Sequence, residues 1–381
     1  MNLISLSEVS HQLQTGAPLP WNVRDKFGHL LLAKNHMVKG DEMVLNIRHR
    51  GIFVDAEEVT QGLASSAKKL SQAPGTFSDQ WSSMQATMGD LLKHPGAPQF
   101  LERVGEVSAL IESKVDKQTD QLIFSILSQG HHKLGAYGVN HSLHVASVCS
   151  ILARRANWSL ERRRSVTAAA LTMNLAMIEL QGRLALVKGR PSDEQQVVIH
   201  NHPLASARML REMDLVDKEW LTAVEQHHEQ PDGKGYPHGV TDPSEMSQML
   251  RLVDVFLAKH SPRAGRESVP AKQAAQSVYL QSNGHPLASL LVKEIGIYPP
   301  GCFVKLACGE VAVVLRRGTN ANAPLVASLV NQKGDPLGTS VIRDTTMAKF
   351  IIVETVPSKS VLVNFSVDHL YAATQGQVRP S

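Results

Sequence analysis

Three patterns of apolar and polar positions divide the chain. From residue 98 to about residue 297, apolar residues recur at intervals of three and four, as in Phe100, Val104, Val107 and Ile111. This spacing is typical of amphipathic helices, and the connections between the helices are short. The pattern predicts one all-helical bundle over residues 98–297. The predicted helices within it include residues 160–180, 194–200, 204–213, 218–226, 246–259 and 271–280.

The two flanking regions follow other patterns. Residues 1–62 predict a small α/β unit, with a hairpin that turns at Lys26-Phe27-Gly28, a helix at residues 41–47 and a strand at residues 51–54. After residue 298 the period changes to two, which predicts a small β-rich unit over residues 298–381 that ends in a polar tail. Its predicted strands are residues 303–306, 310–315, 324–330 and 350–353. Residues 63–97, rich in Ser, Gln, Ala, Gly and Pro, predict a linker with a helix near residues 80–92. The fold class is therefore mainly α.

Composition sets broad limits on the kind of protein. The chain of 381 residues is long for one core, and its formal net charge of +4 gives no reason to expect a nucleic-acid partner. Its three cysteines form no CxxC motif, which favours a reducing compartment. The sequence has no apolar run long enough to span a bilayer and no N-terminal secretory signal. We therefore expect a cytoplasmic protein, and its 17 histidines direct attention to metal binding.

The densest group of chemically capable residues is His227–Pro237, which reads HHEQPDGKGYP. Two adjacent histidines end a predicted helix. Asp232, two glycines and a proline then predict a turn whose backbone can lie close to a ligand. Considered alone, the histidine pair also suits a solvated helix end, where an imidazolium interacts favourably with the helix dipole.

Three further residues could complete a site. His141 lies in a predicted helix, His202 precedes Pro203, and Asp254 stands in the apolar segment Leu252–Leu257. A buried carboxylate must be paired, protonated or bound to a metal. Each residue also has an ordinary explanation, since the histidines could be hydrogen-bonded core or cap residues and Asp254 could pair with a nearby arginine.

Together these motifs resemble the HD-GYP family, bacterial metal-dependent phosphodiesterases that hydrolyse cyclic di-GMP. The resemblance covers the predicted helical region. It implies five metal ligands, namely His141, His202, His227, His228 and Asp254. It also implies substrate contacts from Asp232, Gly233, Gly235, Tyr236, Pro237, Arg263 and Arg266. The two arginines suit this role because a guanidinium fork matches phosphate oxygens. Tyr137 stands where some family members carry a third-metal glutamate, so no trinuclear centre is expected.

The chain departs from the family at the His-Asp pair that gives the family its name. The family stretch Ala-Leu-Leu-His-Asp-Ile-Gly-Lys corresponds here to Ala170–Met177. Met173 replaces the histidine, Asn174 the metal-bridging aspartate and Met177 the lysine. A neutral amide cannot supply the bridging charge, and a thioether is a poor ligand for iron or manganese. Catalytic residues therefore cannot be assigned, and two-metal hydrolysis is expected to be impaired.

Several hypotheses remain open at this point. His202, His227 and His228 could hold one Fe, Mn or Zn ion, or they could form a metal-free pocket. We adopt the hypothesis of a cyclic di-GMP signalling protein with impaired or lost phosphodiesterase activity. It would bind cyclic di-GMP or a related nucleotide, or a signalling protein through the Gly-Tyr-Pro loop, and it could form a homodimer. The alternatives are an active phosphodiesterase with an atypical metal site, in which one metal activates water or Asn174 and water replace the bridge, and a scaffold without a ligand.

Overall fold

The computed structural model describes residues 3–5, 22–32, 53–55, 75–128, 136–361, 363 and 365–375. The chain divides at Pro74 into two units. In the first unit the described strands form an antiparallel sheet in the order β1-β4-β2-β3. These strands are β1 (Leu3–Ser5), β2 (Val23–Arg24), β3 (Leu30–Leu32) and β4 (Phe53–Asp55).

The hairpin predicted in the first unit is present between β2 and β3. Its turn contains Gly28 at φ 87°, a backbone conformation that glycine adopts readily. The Asp25 carboxylate accepts hydrogen bonds from the backbone N–H groups of Phe27 and His29, which closes the turn. The helix predicted at residues 41–47 lies outside the described residues.

The second unit starts with a helical bundle. Its helices are α1 (Phe77–Lys93), α2 (Phe100–Lys117), α3 (Thr119–Ser128), α4 (Tyr137–Arg155), α5 (Leu160–Thr172), α6 (Ile178–Leu186), α7 (Asp193–Glu212), α8 (Lys218–Gln226), α9 (Glu245–His260), α10 (Ala271–Gln281) and α11 (Pro286–Ile295). The buried helix α4 packs against α5 and α9, and α8 packs against α5 and α7. This arrangement brings the end of α5 close to α7 and α8. None of the helices in the described ranges has the length and apolar character needed to cross a membrane.

Helix α1 belongs to the bundle, although the sequence assigned residues 63–97 to a linker. A capping box between Thr76 and Asp79 starts the helix, and Trp81, Met84 and Met88 are buried. These apolar residues recur at intervals of three and four, but the intervening Ser and Gln residues hide the period in the composition. In the structure the second unit therefore begins at Gly75, while the remaining domain boundaries stay predictions.

Two predicted helix ends were wrong, in opposite directions. The helix predicted at residues 160–180 is interrupted after α5, where a 3-10 turn at Leu175–Met177 precedes α6. By contrast, the helices predicted at residues 194–200 and 204–213 form the single helix α7, which continues through Pro203. At the break, Thr172 and Ala176 are hydrogen-bonded to Trp220 and Ser206 of neighbouring helices. At Pro203, which has no N–H, the Ile199 carbonyl oxygen bonds to the His202 ring instead, so the helix can continue.

The C-terminal part of the second unit is a five-stranded antiparallel sheet in the order β8-β7-β6-β5-β9. Its strands are β5 (Phe303–Leu306), β6 (Val311–Arg316), β7 (Leu325–Val330), β8 (Pro336–Asp344) and β9 (Ile352–Val356), and α12 (Val367–Gln375) follows. Strand β8 was not predicted, and the expected polar tail is helical over α12. The sheet is fixed to the bundle by Arg317, which donates to Asp120 of α3 and Glu294 of α11.

Candidate metal and ligand site

Three histidines from two neighbouring helices converge at one point of the bundle. His202 lies inside α7, and His227 and His228 directly follow α8. One ring nitrogen from each of the three lies within 4.8 Å of the other two. The Nε2 atoms of His202 and His227 are 3.0 Å apart, and both residues are buried.

The hydrogen bonds of the other ring nitrogens fix the tautomers of this pair. Nδ1 of His202 lies 2.5 Å from the Ile199 carbonyl oxygen, and Nδ1 of His227 lies 2.7 Å from the Val224 carbonyl oxygen. A carbonyl oxygen can only accept, so each neutral ring carries its proton on Nδ1. Each Nε2 therefore presents a lone pair, and the two lone pairs face each other across 3.0 Å.

A bound cation resolves this repulsion better than a proton does. Burial lowers the pKa of His202 to about 3, and burial also lowers the pKa of His227 despite the nearby Asp254. Burial likewise holds the pKa of His228 well below its ordinary value. Neutral imidazoles with converging lone pairs are good ligands for Zn and related divalent metals. The three residues therefore fit one metal ion with an open coordination position.

Pro203 helps to orient His202. A proline inside a helix cannot donate to the carbonyl four residues earlier, which here belongs to Ile199. That free carbonyl oxygen accepts the Nδ1 hydrogen of His202 instead. The residue order His202-Pro203 therefore keeps α7 continuous and directs Nε2 toward His227, an outer-shell arrangement known from metal-binding histidines.

His141 and Asp254 form a separate bonded pair beside the cluster. Nε2 of His141, in α4, lies 2.6 Å from a carboxylate oxygen of Asp254, in α9. Burial would raise the pKa of Asp254, but the His141 hydrogen bond and the nearby His228 and His227 outweigh it and hold this pKa below its ordinary range. Nδ1 of His141 has no hydrogen-bond partner within the described ranges. The structure thus brings the five predicted ligands into one region, where two of them bond to each other.

Met173 and Asn174 are buried at the break between α5 and α6. Asn174 is 2% exposed, and its Oδ1 atom has no hydrogen-bond partner among the residues that the structure describes. The Trp220 indole N–H donates to the Thr172 hydroxyl at 2.8 Å, which ties the end of α5 to α8. The Ala176 N–H donates to the Ser206 hydroxyl at 3.1 Å, one turn after His202 in α7. Asn174 is therefore held between the two helices that position the histidines.

Met177 lies farther along the same turn. Its side chain is half-buried and lines a surface groove together with Val198 and Met209 of α7.

The Gly-Tyr-Pro loop is folded around a buried carboxylate. Glu229 accepts hydrogen bonds from the N–H groups of His238 at 2.7 Å and Val240 at 3.0 Å. A Cβ atom at Gly235 would lie 2.4 Å from the Gln230 backbone nitrogen and 2.5 Å from the Glu229 Cα, so this close approach requires glycine. The loop conformation is consequently fixed by the local sequence.

Tyr236 connects this loop to the histidine cluster. Its ring stacks on His228 at a centroid distance of 4.5 Å and on His200 at 4.3 Å. Burial and the nearby Asp254 raise the pKa of Tyr236, so its hydroxyl stays protonated at neutral pH. Gly233 adopts φ 72° in the turn, Pro237 follows Tyr236 through a cis peptide bond, and the exposed Asp232 accepts the Lys234 N–H. Of the predicted loop contacts, Tyr236 is the one that the described structure places against a histidine of the cluster.

In the structure, both arginines predicted to contact substrate phosphates form hydrogen bonds within the protein. The Arg263 guanidinium donates to the Tyr137 hydroxyl from Nε at 3.0 Å and from Nη2 at 2.7 Å. The Tyr137 ring stacks on His141 at 5.6 Å, which links Arg263 indirectly to the site. Arg266 is exposed, and its guanidinium donates to the Ala258 carbonyl oxygen.

Two residues that contact the site or organise its loop were missed by the sequence analysis. His200 contacts Tyr236, and Glu229 organises the loop. Glu229 belongs to the His-His-Glu motif, but the motif alone does not show that its carboxylate binds backbone N–H groups.

Comparisons with known proteins identify an HD domain within the helical bundle. Residues 115–285 match the HD domain family. The chain is 28% identical over 186 residues to the cyclic di-GMP phosphodiesterase PA4108 of Pseudomonas aeruginosa, covering 48% of this chain and 45% of the relative. It is 22% identical over 200 residues to the 3'3'-cGAMP-specific phosphodiesterase 1 of Vibrio cholerae, covering 50% and 42%. The matched region thus spans less than half of the length of either curated relative.

One solved structure matches at low similarity. Bd1817, a HDG"Y"P protein from Bdellovibrio bacteriovorus, superposes with a TM-score of 0.49 at 16% identity, covering 76% of this chain and 98% of that chain. The HD-domain match includes every residue from His141 to Asp254. The matched region is an HD domain, and because it also holds the His-His-Glu motif and the Gly-Tyr-Pro loop, it is similar to HD-GYP proteins.

Proposed function

We propose that the chain binds cyclic di-GMP or a related cyclic dinucleotide at the histidine cluster and Tyr236, and that its phosphodiester hydrolysis is impaired or lost. The two curated relatives are phosphodiesterases of cyclic dinucleotides, which supports this ligand class. Asn174 carries the second half of the proposal, because a neutral amide stands where hydrolysis through two metals needs a carboxylate.

The electrostatic argument concerns the charge shared between two cations. In two-metal sites the ions lie about 4 Å apart, so an anionic bridge is needed to offset their repulsion. Asn174 offers one neutral carbonyl oxygen, and Met173 offers a soft thioether. His141 and Asp254 would have to give up their 2.6 Å hydrogen bond to bind a second ion. These residues favour a site for one cation.

The remaining residues are suited to binding. A cation held by Nε2 of His202 and of His227, with His228 as third ligand, would supply Lewis acidity toward a phosphate oxygen. The protonated hydroxyl of Tyr236 can donate a hydrogen bond to the same anion. Hydrolysis additionally requires an activated water, and the expected two-metal arrangement for producing it is incomplete.

Calorimetry, metal analysis and a hydrolysis assay together test the proposal. Wild-type protein is expected to bind cyclic di-GMP, to contain at most one divalent ion per chain and to release negligible linear dinucleotide or GMP. His227→Ala is expected to lose the metal, since it removes one of the two facing Nε2 atoms. Absence of cyclic di-GMP binding would contradict the ligand assignment, and two bound ions with efficient turnover would contradict impaired hydrolysis.

A second candidate function is an active phosphodiesterase that uses one metal. The converging lone pairs of His202 and His227 favour it, since they complete a three-nitrogen site with an open position. Turnover of cyclic di-GMP in the presence of Mn or Fe, abolished in His227→Ala, would establish this function. Equal background rates for the two proteins would dismiss it.

A further inference from the structure

Arg251 is a half-buried cation on the site-facing side of α9. It precedes Asp254 by three residues, so the two side chains lie on the same face of the helix. Its charge interacts with Asp232 and Tyr236 of the loop and with Asp254, and it also acts on His228. Arg251 is therefore close enough to the Gly-Tyr-Pro loop and to the histidine cluster for its charge to act on both.

The guanidinium of Arg251 has no hydrogen bond or ion pair with the part of the chain that the structure describes. Arg263, in contrast, uses its fork on the Tyr137 hydroxyl, and Arg266 donates to a backbone carbonyl. Of these three arginines, Arg251 is the one whose five N–H donors are available to a ligand.

The surroundings of Arg251 favour an anion. A partly buried guanidinium without a partner is unfavourable, because it loses hydration and gains no hydrogen bond in return. Asp254 is committed to His141, and Asp232 is exposed and accepts the Lys234 N–H. The histidines of the cluster are neutral, so they do not compete with Arg251 for negative charge.

We propose that Arg251 is the phosphate-binding residue of the site, with its guanidinium fork on the oxygens of a ligand phosphate that lies next to Tyr236 and His228. This assignment rests on the proposed binding of a cyclic dinucleotide and adds the residue that recognises the phosphodiester. A fork fits two phosphate oxygens at once, whereas an ammonium group acts as a point charge. Arg251 does not require a metal for this role.

Calorimetry with cyclic di-GMP on the chelator-treated protein of 381 residues tests the proposal without any contribution from metal. Arg251→Gln is expected to weaken binding about tenfold to a hundredfold, the range for a lost hydrogen-bond pair to a charged group. Arg251→Lys, which keeps the charge and loses the fork, is expected to fall between wild type and Arg251→Gln. Arg208→Gln is the matched control, since Arg208 is a 75% exposed arginine of α7 that pairs with Glu212.

Several outcomes would overturn the assignment. Unchanged affinity in Arg251→Gln would do so, and so would an equal loss in Arg208→Gln, because the effect would then reflect net charge. If circular dichroism shows that Arg251→Gln is misfolded, the affinity of wild type is compared with that of Arg251→Lys. Equal affinities would then refute phosphate binding through the guanidinium fork.

A second probe separates this assignment from the proposed function. If wild-type protein does not bind cyclic di-GMP, the proposed function fails. The side-chain Nε–Hε signals of arginine are then followed by NMR during titration with inorganic phosphate. A shift of the Arg251 signal, identified by its absence in Arg251→Gln, would still support a phosphate site. No shift would reject it.

Discussion

Replacing Asn174 by aspartate puts a carboxylate back between α7 and α8. The exchange preserves the shape of the side chain, so its effects report charge and not packing. Asn174 is 2% exposed, and its Oδ1 atom has no hydrogen-bond partner within the described ranges. The new group would therefore be desolvated without a compensating donor, unless a metal ion is present.

The expected loss of stability has a calculable upper limit. A desolvated carboxyl group can avoid its charge by taking up a proton, and an ordinary aspartate has a pKa of about 3.9. Keeping it protonated at pH 7 costs about 1.36 kcal/mol for each of the roughly three pH units between this pKa and pH 7, or about 4 kcal/mol in total. Burial of the bare charge costs at least as much. We expect Asn174→Asp to lose about 3 to 4 kcal/mol at pH 7 in metal-free protein.

The stability loss of Asn174→Asp should increase with pH. The folded-state pKa of the new carboxyl is raised above the unfolded-state value, so the unfolded chain releases its proton first as the pH rises. The difference from wild type should therefore be near zero at pH 4 and should grow by about 1.4 kcal/mol per pH unit toward pH 7. A divalent ion should reverse the loss, because it pairs with the carboxylate. A ligand at about 100 times its Kd stabilises by about 2.7 kcal/mol.

Urea denaturation between pH 4 and pH 7.5, with a chelator and with added Mn or Zn, measures these quantities. The control is Asn320→Asp, an exposed turn residue whose side-chain oxygen accepts the Asn322 N–H and can continue to do so. It should change stability by less than about 0.5 kcal/mol. A metal-free Asn174→Asp protein as stable as wild type at pH 7 would refute the reasoning, since Asn174 would then lie in a polar or hydrated environment.

Three further predictions concern the loop and the buried histidines. Gly235→Ala should destabilise the protein by about 2 kcal/mol or more because its Cβ would overlap the loop backbone, whereas Gly182→Ala, in open space on α6, should stabilise it by up to about 1 kcal/mol. Similar denaturation midpoints for the two variants would contradict this. Glu229→Gln should lose about 1 to 3 kcal/mol, since the amide can satisfy only one of the two backbone N–H groups, and an unchanged urea midpoint would count against it. Burial lowers the folded-state pKa of His202 and of His144 to about 3, well below the unfolded-state value of about 6.5. On acidification the unfolded chain therefore takes up protons first, and each histidine should reduce the free energy of unfolding by about 2 kcal/mol at pH 5 relative to pH values above about 6.5. Stability that is flat from pH 7 to pH 5 would disprove it.

Sequence periodicity predicted the helices where packing follows local preference. It gave α8 with its observed ends, and α9 within one residue at each end. It missed the break at Met173 because residues 170–177 are compatible with a helix. The segment at the break is bonded to distant residues, as in the hydrogen bond from Trp220 to Thr172, 48 positions apart, and a local pattern does not contain such contacts. Strand β8 was missed because several of its residues are exposed on both faces, which removes the alternation expected of a strand.

The residue types of the site could be predicted, but their pairings could not. The motifs placed the five metal-ligand candidates in one region, and the metal assignment itself stays a prediction. Nothing in the sequence indicates that His141 bonds to Asp254, 113 residues away, or that Tyr137 binds Arg263, 126 residues away. Such pairings depend on how α4 packs against α9, so they are properties of the assembled bundle.

The structure separates the groups suited to binding from those needed for hydrolysis. The Tyr236 ring stacks on His228, and Arg251 lies on the same face of α9 as Asp254, so neither depends on the residue at position 174. Hydrolysis through two metals depends on an anion at that position, where the protein has a buried neutral amide. Replacing a carboxylate by an isosteric amide removes charge while leaving the surrounding packing intact. Under the proposed function, hydrolysis would therefore be impaired at Asn174 while the Gly-Tyr-Pro loop keeps the conformation needed for binding.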